Sequence, residues 1–126
     1  MTFWQAVWDC IWHRWASGRG RTSRSVFAAY LGFYIGFCGL WIAGIALLME
    51  WAGDVNLIDF TLGYVPYFLF PPLVAAAIRR LHDVSKNGWL IWLYLVPLIN
   101  ILALGLLFMP GTEGANRFGP VPPRLQ

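Results

Sequence analysis

Val26 to Met49 runs for about 24 residues without one charged side chain, enough helix to cross a hydrocarbon core of about 30 Å. That run restricts the fold, because a backbone in lipid must satisfy its own polar groups and therefore coils into a helix. Composition agrees. Of 126 residues, 59% are hydrophobic and 12% charged, where a soluble domain carries about 25% charged residues. Eight Trp and nine Phe suit headgroup depth, where amphipathic rings collect. The expected fold is a single all-α membrane domain.

Charge placement sets the threading. The nine Lys and Arg residues all avoid the stretch from Ser25 to Ile78, a topology signal of the positive-inside kind. Nothing resembles a nucleic-acid footprint, since no basic stripe interleaves with exposed aromatics on a soluble face. A compact charged stretch, Arg79-Arg80-Leu81-His82-Asp83, is pinned between two apolar segments and belongs at a membrane surface or in a polar cavity. Cys10 and Cys38 have no metal-ligand spacing and are expected as small apolar residues. No metal or cofactor is implied, and no cleavable signal peptide is expected, since no small-residue cleavage site follows a short apolar region.

In chain order, residues 2–15 predict an interfacial amphipathic helix. Phe3, Trp4, Val7, Trp8, Ile11, Trp12 and Trp15 share one face, with Gln5, Asp9, His13 and Arg14 opposite. The glycines of Ala16 to Ser25 break that helix, and its arginines suit anionic phosphates. Three transmembrane helices follow at 26–49, 60–78 and 89–109, the second and third kinked by Pro66, Pro71, Pro72 and Pro97. Gly32 and Gly36 make a G-x-x-x-G match, expected to serve packing within the chain. Glu50 to Asp59 reads as an external acidic loop. For 89–109 a single crossing is preferred over a hairpin broken at Pro97 to Asn100, because 21 residues cannot cross twice. The Pro/Gly-rich tail, 110–126, then lies outside as irregular surface chain.

Three motifs together resemble one family. Gly20-Arg21-Thr22-Ser23-Arg24-Ser25, then Arg79 to Asp83 with Gly88-Trp89, then Pro110-Gly111-Thr112-Glu113-Gly114-Ala115-Asn116-Arg117-Phe118-Gly119-Pro120 are similar to small bacterial inner-membrane proteins catalogued as domain of unknown function 805. The chain departs from that pattern at Val26-Phe27-Ala28, where the family has an acidic residue and two aromatics, and at Asn87, where it has Ser. The resemblance implies the bacterial inner membrane and a multi-pass architecture, but no activity; the cytoplasmic N-terminus is expected from the arginines between Ala16 and Ser25.

The expected role is non-catalytic. Arg21, Arg24, Arg79 and Arg80, with His82 and Asp83, would form one cytoplasmic site for anionic lipid headgroups or a membrane protein partner, including a second copy. Asn116 and Arg117 are a possible second motif. The alternatives are a small oligomeric transporter or proton relay, and a lipid-headgroup enzyme with His82 as base and Asp83 as its partner.

Overall fold

A computed structural model describes residues 1–52, 55–96 and 99–125. It is helical, with no strand among the described residues. Helix α1 spans Phe3–Trp8, α2 Arg24–Ala52, α3 Val55–Asp83 and α4 Asn100–Phe108. A π-helical turn, Asp9–His13, extends α1, and a 3₁₀ helix, Gly88–Leu95, precedes α4.

Helix α1 begins in a capping box: the Thr2 hydroxyl accepts from the Gln5 amide, and the Gln5 side chain accepts from the Thr2 amide. The buried side of this arm is not the expected apolar face, of which it includes only Val7. Ala6, Val7 and Cys10 are buried against the bundle, whereas Trp4, Trp8 and Trp12 face outward. Four-residue spacing puts these three indoles in one stripe, suited to headgroup depth.

Helix α2 is long and apolar enough to cross a membrane. Its mean hydropathy reaches 2.0, and only 6% of that window is buried within the protein. Its neighbour α3 is a single element through Pro66, Pro71 and Pro72. Each proline deletes an N–H from the ladder, and one turn before Pro72 the Tyr30 hydroxyl donates to the Leu69 carbonyl at 3.2 Å. The acidic loop expected from Glu50 to Asp59 is largely helical: α2 runs on to Ala52 and α3 restarts at Val55. At Gly32 and Gly36 the expected packing is not seen, since an added Cβ would meet nothing within 4 Å among the described residues.

The third apolar segment corrects the reading of one through-going helix. Its start lies at the charged end of α3, where a Cβ on Gly88 would sit 3.2 Å from His82 Nε2. Its end returns there, because Arg80 donates to the Leu107 carbonyl at 2.8 Å and to that of Met109. The two pieces are about 16 Å of 3₁₀ helix and about 14 Å of α-helix. Each is about half as long as a ~30 Å core is thick. The length rule excluded two full crossings but not two short pieces that start and end beside the charged end of α3. Pro97 lies outside the described residues, as do Asp54 and the Asp59 side chain.

The core therefore sits at one end of the helices rather than between their middles. Ala6, Val7 and Cys10 of the N-terminal arm meet Phe27 and Tyr30 of α2, Ala76, Ala77 and Leu81 of α3, and Leu107 of α4. Both chain ends meet here too, with the Met1 amino group 3.4 Å from the Arg124 carbonyl.

Candidate functional site

The last turn of α3 carries the charged motif, and its ending is well determined. Lys86 N–H bonds the Leu81 carbonyl at 2.9 Å and Ser85 N–H bonds that of His82 at 3.1 Å. This is a Schellman closure, with Ser85 rather than Gly in the left-handed position at φ 56°. Asn116 Nδ2 reaches the Ser85 hydroxyl at 3.2 Å and the His82 carbonyl at 3.0 Å.

Asp83 sits at the negative end of the α3 dipole, an unfavourable place for a carboxylate. It is 4% exposed, so its charge demands partners. Two arginines supply them. Arg21 Nε donates to Oδ1 at 2.9 Å, and Arg80 Nη1 donates to Oδ2. The rest of the Arg21 fork holds the tail, donating to the carbonyls of Gly114 at 2.6 Å and Thr112 at 3.0 Å. Thr112 answers by donating its amide and its hydroxyl to the Asp83 carbonyl, at 2.9 and 3.1 Å. Gly111 makes the approach possible, since a Cβ there would fall on the Asp83 carboxylate.

His82 turns away from Asp83. Its Nδ1 lies 3.2 Å from the Gly20 carbonyl. Its ring stacks flat on Phe118, with centroids 4.0 Å apart and planes 4° from parallel. Arg117 lies over the Phe118 ring at 4.7 Å and pairs with Asn87 Oδ1 at 2.6 Å. Burial pushes the His82 pKa below its usual value, the Gly20 carbonyl opposes this, and Arg117 adds to it.

The expected lipid-facing arginines thus divide. Arg21, Arg79 and Arg80 are buried, at 4%, 1% and 0% exposure. Among these four, only Arg24 is exposed. Burial lowers the Arg80 and Arg79 pKa values, although guanidinium stays charged in proteins. Arg79 is the anomaly. Its Nη2 donates to Cys10 Sγ at 3.6 Å, while Nε and Nη1 have no partner among the described residues. Burial raises the Cys10 pKa, against the pull of Arg79, which keeps the sulfur a neutral acceptor.

Beside the hub lies a polar cavity of about 280 Å³, lined by Arg21, Arg24, Arg124, Ser23, Ser25 and Glu113, among others. The tail builds its far wall: the Ser23 hydroxyl donates to the Pro123 carbonyl at 2.7 Å, and Ser25 Oγ accepts from Leu125 N–H at 3.1 Å. No side-chain ion pair engages Arg24 or Arg124 among the described residues. Sequence reasoning missed Arg124, Thr112 and Gly111. The usable signal was Gly111 directly after Pro110, a turn placed to bring backbone against a side chain. No cluster of three metal-ligating side chains occurs among the described residues.

This network joins the three sequence motifs, and all three lie within the stretch matched by one family profile. The profile of a protein family of unknown function, DUF805, matches residues 15–120. The chain belongs to the DUF805 family. Inner membrane protein YhaI of Escherichia coli (strain K12) is 40% identical over 77 residues, covering 54% of this chain and 65% of YhaI. Inner membrane protein YhaH of the same strain is 43% identical over 56 residues, covering 43% of this chain and 46% of YhaH. The chain thus spans under two thirds of the length of these relatives. No solved structure matches.

Proposed function

We propose that this chain is a non-catalytic inner-membrane module, as its relatives are inner membrane proteins, and that it engages anionic lipid headgroups from the cytoplasmic side. The observation that carries this reading is the 280 Å³ cavity, where exposed Arg24 and Arg124 have no side-chain ion pair among the described residues and stand beside a satisfied hub. Arg21 and Asp83 form its floor rather than its ligands. Serine hydroxyls and arginine forks suit phosphate oxygens, and surface arginines contribute about 1 kcal/mol each toward anionic lipid.

The proposed topology is two crossings, α2 and α3, with the third segment a re-entrant hairpin in place of a third span. Both chain ends are then cytoplasmic, and all nine basic residues share that side, a fuller positive-inside bias than three spans allow. The enzyme and relay alternatives leaned on a His82–Asp83 pair. Their side chains diverge, Asp83 to Arg21 and Arg80, His82 to Gly20 and Phe118.

Purified protein tests the proposal through the lipid it retains. Mass spectrometry of phosphatidylglycerol and cardiolipin carried through detergent purification should show a several-fold loss in an Arg24→Gln/Arg124→Gln double variant. Unchanged retention in a folded double variant contradicts the headgroup site.

A further inference from the structure

A second and larger cavity, about 790 Å³, lies between α2, α3, the 3₁₀ helix and α4. Phe27, Leu73, Ile78, Ile91 and Leu107 are among its apolar walls, and among the described residues His82 is its one titratable lining residue. Trp89 and Trp92, both exposed, stand at its rim. An apolar space of this size falls in the range of ligand sites, which join apolar walls to a few placed polar groups.

The polar group is fixed in both orientation and tautomer. A carbonyl only accepts, so the Gly20 contact places the ring proton on His82 Nδ1 and leaves a lone pair on Nε2. Stacking on Phe118 holds the ring plane. Gly88 and Ile78, both cavity residues, mark the side to which Nε2 points, since a Cβ at Gly88 would lie 2.8 Å from Ile78 Cγ2 and 3.2 Å from Nε2. Nε2 makes no hydrogen bond among the described residues. An acceptor lone pair at the end of an apolar cavity calls for a donor attached to an aliphatic body.

We propose that this cavity binds an uncharged long-chain amphiphile, its chain along Leu73, Ile91 and Leu107 and its head hydroxyl donating to His82 Nε2. The site is separate from the Arg24 and Arg124 cavity and selects against anionic heads, because a carboxylate or phosphate would face a lone pair.

The probe is a monoacylglycerol with a dibrominated stearoyl chain, added to the full chain in phosphatidylcholine nanodiscs. Bromine quenches nearby indoles, and the difference between wild type and a Trp89→Phe/Trp92→Phe variant isolates the rim signal. Saturable quenching is expected in the wild type, about tenfold weaker in His82→Phe, which keeps a ring to stack on Phe118 but loses the acceptor; that factor corresponds to one hydrogen bond. The same probe with both hydroxyls methylated should bind wild type as weakly as the hydroxyl form binds His82→Phe, a comparison independent of the variant's folding. Equal affinity for both probe forms overturns the proposal, as does rim quenching no greater than that of a bulk brominated lipid.

Discussion

The two ends of the α2–α3 pair obey different rules. At the charged end, Arg21, Arg80 and Asp83 are buried and joined by hydrogen bonds from four parts of the chain. Toward the other end, Leu40, Leu47 and Trp51 of α2 are 78%, 68% and 88% exposed. In water that apolar surface would be a defect. In lipid it is neutral, because acyl chains are as apolar as Leu. Packing of the apolar half therefore contributes little to holding this fold together, and the polar end specifies how the pieces meet.

Mutations can break that contrast. The largest effect is expected from Asp83→Ala, which leaves two buried guanidinium groups without their anion. Loss of one partner from such a network costs about 3–5 kcal/mol, readable as a drop in unfolding free energy in detergent and as release of the tail to protease. Leu47→Ala, in the exposed half, should stay within about 0.5 kcal/mol. A similar loss in both variants would erase the contrast.

Gly111→Ala comes next. Its methyl group collides with the Asp83 carboxylate, and overpacking of this kind costs about 1–3 kcal/mol. Thermal unfolding together with tail proteolysis would show it, and an unchanged midpoint with a protected tail would mean that the tail does not dock here.

A pH effect follows from His82. Its folded pKa lies below the ordinary 6.5, so the unfolded chain binds the proton first. Stability is then fully present above about 6.5 and falls as pH drops through the window between that value and the lower folded pKa. Wild type should lose stability across this window relative to His82→Phe. Parallel pH profiles for the two would show that His82 is not held in its neutral form.

The smallest expected effect is a gain. Ser85 takes a left-handed conformation in which glycine is unstrained, so Ser85→Gly should add up to about 1 kcal/mol. Loss of the Asn116 contact to the Ser85 hydroxyl subtracts from this. A destabilised Ser85→Gly protein would show that contact to outweigh the backbone term.

Much of this was legible in the chain. The charge-free run of α2 and the charged stop after Ile78 follow directly from hydropathy and charge. The inward turn of the arginines was not, because charge positions do not state partners. Asp83 and Glu113 are the only acidic residues in the second and third motifs, and a lone carboxylate among arginines was the available hint that these cations are paired. The hairpin was hidden for a different reason. Length counts one crossing against two, whereas two short pieces, Gly88–Leu95 and Asn100–Phe108, begin and end beside the charged end of α3, where Leu107 and Met109 offer carbonyls to Arg80. Arg124, near the end of an irregular tail, carries no local pattern and becomes meaningful only once Ser23 and Ser25 hold that tail in place.

The sidedness of the tail tests the account most directly. With Cys10 and Cys38 replaced, single cysteines at Lys86, Glu113 and Ala52 would be challenged with a membrane-impermeant thiol reagent in intact spheroplasts. Labelling is expected at Ala52 alone, with Lys86 and Glu113 reacting only after lysis. Labelling of Glu113 in intact spheroplasts would put the tail across the membrane from Asp83 and contradict the hub.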